Sequence, residues 1–221
     1  MQVGNARYIH EHDLPKTLAL FPLSGALLLP GAQLPLNIFE PRYLEMFDHA
    51  LSGNRLIGMI QPALDAHAAN PVPELSKVGC IGRITTYAET GDGRYLLTLT
   101  GVTRFRVLEE LSVTTPYRQA KIAPFLGDLE PEDDSNVDRK ALLQAFRDYL
   151  EANKLEADWE NIARASNATL VNSMSMMSPY GPPEKQALLE APDLKTRAET
   201  LIAITEIVLA RSSPEGGGIL Q

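Results

Sequence analysis

"FPLSGALLLPGAQLPLNIFEPRYLEMFDHAL", residues 21–51, sets an oily run beside prolines at positions 22, 30, 35 and 41. Proline lacks the amide that regular structure uses, so an apolar segment interrupted this often does not form one long element. "TLALFPL" and "QLPLNIF" each have strand length and each contains a proline, which belongs at an edge, an end or a bulge of a sheet. The period then changes. In "PRYLEMFDHALSG", Tyr43, Leu44, Phe47 and Leu51 share a helical face, Pro41 suits the first turn and Gly53 lies just past the end.

Outward from this stretch, "RLIGMIQP" returns to a strand, and "HAANPVPE", residues 67–74, reads as a loop. "VGCIGRITTYAE", "GRYLLTLTG", "TRFRVLEEL" and "YRQAKIAPF" follow as strands, with "TGDG" at 90–93 turning the first two into a hairpin. Alternation places Tyr95, Leu97 and Leu99 on one face. It places Phe105 and Val107 together on another, which points Arg104 and Arg106 away from the core. Six or seven short strands with one early helix predict a small, twisted, partly closed barrel. Its prolines then fall where the barrel turns a corner or ends a strand without leaving a long open edge.

At "LGDLEPEDDSN" the composition becomes acidic, and beyond it the period is helical. Leu142, Phe146, Tyr149 and Leu150 form a stripe capped by Ser135 or Asn136. Two short helices ("DWENIARAS", "ATLVNSMSMMS"), a proline-initiated one ("PPEKQALLEA") and a last helix capped by Asp193 complete the chain. On the last helix Leu194, Ala198, Leu201, Ile202, Thr205, Val208 and Leu209 lie on one side. The expected division is a tail over 1–16, a β-barrel domain over 17–126, a connector over 127–136, helices over 137–211 and a mobile tail over 212–221. The fold class is α+β.

Bulk properties narrow the function. Of 221 residues 44% are apolar and 22% charged, ordinary values for a globular protein. No run of about 18 apolar residues is present to cross a membrane, and the polar start "MQVGNARYIHEHDLPK" has no secretion-signal core. One cysteine, Cys80, makes no internal disulfide, which fits the cytoplasm. Residues 1–125 carry 11 basic and 11 acidic side chains, whereas residues 126–221 carry 9 and 17. The whole excess of −8 therefore lies in the second part, and an acidic chain disfavours nucleic acid, whose capture depends on neutralising phosphates.

Motifs that carry chemistry are sparse. No glycine-rich loop ends in Gly-Lys-Ser/Thr, and "GCIG" at 79–82 sits inside a strand pattern. Cys80 shares parity with Val78 and Ile84 and points to the core, and no Gly-x-Ser-x-Gly elbow occurs. "HEH" at 10–12 offers two ligands on a polar tail, short of a metal site; His49 lies on the early helix and His67 in the loop. No catalytic, cofactor or metal residue is assigned. Leu170, Val171, Met174 and Met177 have the spacing of a packed helix face, which leaves Met176 for the surface. Arg104 and Arg106, with Arg83 across the sheet, form a small basic face that either pairs with Glu109, Glu110 or the acidic second part, or reads a peptide or phosphate backbone.

Together, "LALFPLSGALLLPGAQLPLNIFEPRYLEMFDHAL", "VGCIGRI" and "YLLTLTGVTRFRV" resemble the N-terminal substrate-binding domain of the ATP-dependent protease Lon, most closely its bacterial stand-alone versions. "PPEKQALLEAPDLKTRAETLIAITEI" is similar to the helical part that follows there, and the likeness spans roughly residues 17–211. The resemblance implies a PUA-like pseudo-barrel followed by a helical bundle, a module that captures unfolded or tagged polypeptides or a specific protein partner. Cleavage and ATP hydrolysis belong to other domains of that protease, and the sequence ends before either begins, so the implied module is noncatalytic and needs no cofactor. The motif residues Phe39, Glu40, Pro41, Arg42 and Tyr43 mark a functional edge of the barrel, or fix how the helix docks, with Glu40 and Arg42 pairing locally. The candidate surface is Phe39, Glu40, Arg42, Tyr43, Arg83, Arg104, Arg106 and Met176. An RNA-binding module is the alternative, and a hydrolase with an unrecognised site a more distant one.

Overall fold

The computed structural model describes residues 1–63 and 73–212; most of the expected loop over 67–74 and the expected tail from 213 onward lie outside them. The chain forms two compact units, Met1–Pro131 with Pro179–Leu189, and Glu132–Ser178 with Glu190–Gln221. The strands are β1 (Gln2–Val3), β2 (Ala6–Arg7), β3 (Thr17–Pro22), β4 (Gln33–Ile38), β5 (Leu56–Ile60), β6 (Val78–Glu89), β7 (Tyr95–Glu110) and β8 (Arg118–Pro124). The helices are α1 (Pro41–Ser52), α2 (Arg139–Ala152), α3 (Trp159–Arg164), α4 (Asn167–Met177), α5 (Pro182–Glu190) and α6 (Leu194–Ser212), so the class is α+β.

In the first unit the main sheet runs β4-β7-β6-β5-β3-β8, and β8 also pairs with β7. Five strands thus close on themselves while β4 hangs from β7 alone. The two segments expected as separate strands, "GRYLLTLTG" and "TRFRVLEEL", are one long strand. Its register against β6 slips where Gly82 faces Gly101 and Ile81 faces Thr103. The unmatched Val102 is a bulge, and a bulge bends a strand, which lets β7 serve β4 with one half and β8 with the other. Gly101 has to be glycine: a Cβ there would lie 2.1 Å from the Leu29 carbonyl oxygen. Leu18, Leu20, Leu56, Ile60, Ile81, Val102, Phe105 and Ile122 are buried together as one core cluster.

The prolines now have places. Pro22 ends β3, Pro30 bridges to Gly101 outside any strand, and Pro41 opens α1. Pro35 sits inside β4, where Gly101 N donates to Ala32 O at 2.9 Å and sets the parity of the ladder. Even-numbered residues bond to β7, so Gln33, Pro35 and Asn37 turn their backbone groups to the open edge, where a missing amide costs nothing. The helix α1 is anchored by Tyr43, Met46 and Phe47, with Phe21 set edge-on to Tyr43 at 4.5 Å and to Phe47 at 5.9 Å. The helix α5 belongs to this unit because buried Gln61 donates to Gln186 Oε1 and Pro182 O, both at 3.1 Å, and Gln186 donates to Val78 O.

In the second unit α2 and α4 pack on α6. Leu142, Tyr149, Leu150, Leu170, Val171, Met174, Leu194, Ala198 and Leu201 form the buried side. Asp138, not Ser135 or Asn136, caps α2 by accepting from Ala141 N at 3.0 Å; Ser135 and Asn136 instead hydrogen-bond Asp133. Asp158, Ser166 and Asp193 cap α3, α4 and α6. Arg197 is wholly buried, its Nη1 at 2.9 Å from both Glu132 Oε1 and Asn172 Oδ1. None of the described helices is long and apolar enough to cross a membrane.

Candidate functional site

Phe39, Glu40, Arg42 and Tyr43 come together where β4 hands over to α1, around a recess of about 220 Å³. Phe21, Pro22 and Leu23 from the end of β3 line one wall, and Leu36, Asn37 and Ile38 from β4 the other. The turn between strand and helix exists because Pro41 starts α1 and Glu40 stays extended before it. Phe39 is 61% exposed, an unusual state for a large apolar side chain with a core beside it. At the rim Arg42 grips Glu40 through Nη2 at 2.8 Å and Nε at 3.0 Å, and its guanidinium lies 4.6 Å over the Tyr43 ring. Arg94 stands 6.0 Å from the centre of the Phe39 ring. Burial pushes the Tyr43 phenol above its ordinary range, so the rim holds one neutral hydroxyl and one closed ion pair.

Leu36 and Asn37 also line a second, open depression of about 490 Å³ with Pro35, Thr86, Tyr87, Ala88, Leu96, Leu97 and Thr98. Leu96 and Tyr87 are both exposed on it. Tyr87 packs edge-on against Tyr95, whose hydroxyl donates to Asp48 at 3.0 Å, and that carboxylate raises the Tyr95 phenol. Leu36 pairs with buried Leu97 and Asn37 with exposed Leu96, so the recess at Phe39 and the depression at Leu96 lie on opposite faces of β4. Leu96 was legible: three consecutive apolar residues, Tyr95, Leu96 and Leu97, in an alternating strand force one outward.

The remaining candidates scatter. Arg104 does lie on the face opposite Phe105, but that face is covered, and the arginine is buried. Its Nε and Nη2 bind Asp128 at 2.9 and 2.8 Å, its amide binds the same carboxylate, and Nη1 donates to Leu189 O. The expectation of an exposed Arg104 fails because the turn Leu126–Leu129 and α5 close over it, while its carboxylate comes from the acidic second part, as one of the expected pairings had it; Glu109 binds Lys121 and Glu110 binds Arg118. Arg106 is exposed and stacks on Phe125 at 5.7 Å. Arg83 faces Thr100, not Arg104, and is held by Tyr8, Asn5 and Asn54. Met176 is half-buried, and it is Met177 that is 83% exposed, because α4 ends there and no further turn covers it. Cys80 is buried. His49 meets the Tyr117 hydroxyl at 2.7 Å, His10 and His12 stack on each other, and His67 is outside the described residues. Among the described residues no group of three His, Cys, Asp or Glu could hold a metal.

These features define an α+β domain with an apolar recess beside an edge strand, lined by no nucleophile–base pair. The family model of the ATP-dependent protease La (Lon) substrate-binding domain matches residues 17–206, and the chain belongs to that family. The Lon protease of Parabacteroides distasonis is 32% identical over 197 residues, 85% of this chain and 23% of the relative. That of Flavobacterium johnsoniae is 26% identical over 203 residues, 87% of this chain and 24% of the relative. The chain thus spans about a quarter of the length of these relatives. Among solved structures, a Lon N-terminal domain protein from Xanthomonas campestris superposes with a TM-score of 0.62 at 26% identity, covering 85% of this chain and 97% of the other. The N-terminal domain of the Mycobacterium avium complex Lon protease shares the fold at a TM-score of 0.60 and 16% identity, covering 86% and 98%.

Proposed function

We propose that this chain is a noncatalytic polypeptide-binding module, a PUA-like barrel followed by a helical bundle, that recognises substrates or serves as an adaptor in cytoplasmic protein quality control. The observation that carries the reading is the apolar recess at Phe39, within a chain of the Lon substrate-binding family. At about 220 Å³ it is smaller than the roughly 300–1,000 Å³ of small-molecule pockets and suits one bulky side chain. Burying one such side chain is worth about 1.5–3 kcal/mol, so this single contact binds weakly. Strand addition along β4 is a poor second mode, because Pro35 removes an amide from the middle of that edge.

The test is association with a permanently unfolded, uncharged polypeptide, followed by fluorescence anisotropy. Binding at tens of micromolar, about tenfold weaker in Phe39→Ala, is expected from the lost apolar burial; no association at several times that concentration defeats the proposal. The RNA reading leaned on Arg83, Arg104 and Arg106. With Arg104 enclosed and the chain at −8, little supports it.

A further inference from the structure

Three arginines of the first unit grip a carboxylate of their own chain with the same Nε/Nη2 edge: Arg42 on Glu40, Arg104 on Asp128 and Arg118 on Glu110. Arg83 breaks the pattern. Its Nη1 donates to Tyr8 Oη at 3.1 Å and Asn54 O at 2.9 Å, and its Nη2 to Asn5 Oδ1 at 3.2 Å. All three acceptors are neutral, and Nε has none among the described residues. The guanidinium is therefore clamped in place, with no carboxylate on it among the described residues.

Two more arginines lie close to it along the backbone. Arg55 precedes Leu56, which pairs with Arg83, and its carbonyl accepts from Ile84 N. Arg7 lies next to Tyr8 and two residues from Asn5, the groups that clamp Arg83. Both are exposed, and among the described residues neither they nor Arg83 belongs to an ion pair. Arg55 also holds φ at +64°, a left-handed conformation that strains a residue with a side chain. Glycine would fit there without strain, and Lys154 holds the same conformation just past α2.

We propose that Arg83, Arg55 and Arg7 form a receptor for the carboxylates of an acidic polypeptide segment. A pre-oriented guanidinium loses little freedom on binding, and side-on capture of a carboxylate is its strongest interaction. Carboxylate is favoured over nucleic acid because three arginines on a chain of net charge −8 neutralise few phosphates. The inference rests on the polypeptide-binding reading but on a different surface from the Phe39 recess.

The test is calorimetric titration with capped hexaglutamate, alongside hexaglutamine and hexauridylate. Hexaglutamate binds, weakens several-fold on raising salt to about 0.15 M, and outcompetes both controls. Arg83→Lys keeps the charge, loses the fork and weakens binding about tenfold. Arg55→Gly weakens it at least about threefold while raising the melting temperature by about 2–4 °C, because the backbone strain is relieved. Phe39→Ala leaves hexaglutamate binding unchanged, which separates this site from the recess. Equal binding of hexaglutamine, tighter binding of hexauridylate, unchanged affinity in Arg55→Gly, or a loss shared with Phe39→Ala would each overturn the proposal.

Discussion

Each unit buries an arginine, and they do it differently. In the sheet unit Arg104 and Asp128 are enclosed together, with 8% and 11% of their side chains exposed and two parallel contacts between them. In the helical unit the Arg197 side chain is 1% exposed, while Glu132 keeps 27% of its own in solvent and offers one oxygen, beside Asn172. The first pair is sealed by a turn laid over a sheet. The second is a cation drawn into a helical core by a carboxylate at its margin. A pair sealed on both sides is sensitive to the loss of either member; a pair sealed on one side is sensitive mainly to loss of the member that water can still reach.

The largest expected effect tests the sheet unit itself. Gly101→Ala forces a methyl against the Leu29 carbonyl, a backbone atom that cannot swing aside, and should cost about 4 kcal/mol or more. Hydrogen exchange should show protection in β3–β8 collapsing before that in α6. The arginine pairs come next, by urea unfolding. Asp128→Ala and Arg104→Met should cost similar amounts, about 3–5 kcal/mol, since each strands an enclosed partner. Glu132→Ala should also cost about 3 kcal/mol by removing this carboxylate from buried Arg197, whereas Arg197→Met, leaving a partly exposed glutamate, should cost about 1 kcal/mol. Equal losses for the second couple would erase the distinction drawn above.

A smaller effect concerns the helix caps. Hydrogen bonds from the Thr196 amide and hydroxyl hold the Asp193 carboxyl below the usual carboxylate range. Its folded value is depressed, so its contribution is present above about pH 4, the unfolded value, and disappears as pH falls through the native one. Asp193→Ala should be about 1 kcal/mol less stable than the parent near neutrality, with the two converging in acid. Smallest is Phe39→Ala, expected within about 0.5 kcal/mol of the parent because the ring is already in solvent.

Much of this was legible. Alternation and punctuation gave the strands, the inserted helix and its proline, and Asp193 as a cap, because each is set by residues close in sequence. The motif around Phe39 gathered as read, since β4 and α1 are consecutive. Misreadings share one cause. Arg104 obeys strand parity, yet what covers the outer face comes from residues 126–129 and 182–190, which no local pattern announces. Arg197 sits on the helical stripe beside Ala198 and Leu201, where charge alone argues for solvent; Glu132 and Asn172, both distant in sequence, help make burial tolerable. Asp138 displaced Ser135 and Asn136 as cap because Asp133 had already engaged them.

Pro35 has one more consequence. A bare strand rim invites other extended chains to stack on it and grow into fibrils. The rim of β4 has a gap at its centre that an incoming strand cannot bridge with a full ladder. The open side of the sheet is thereby kept from seeding such growth.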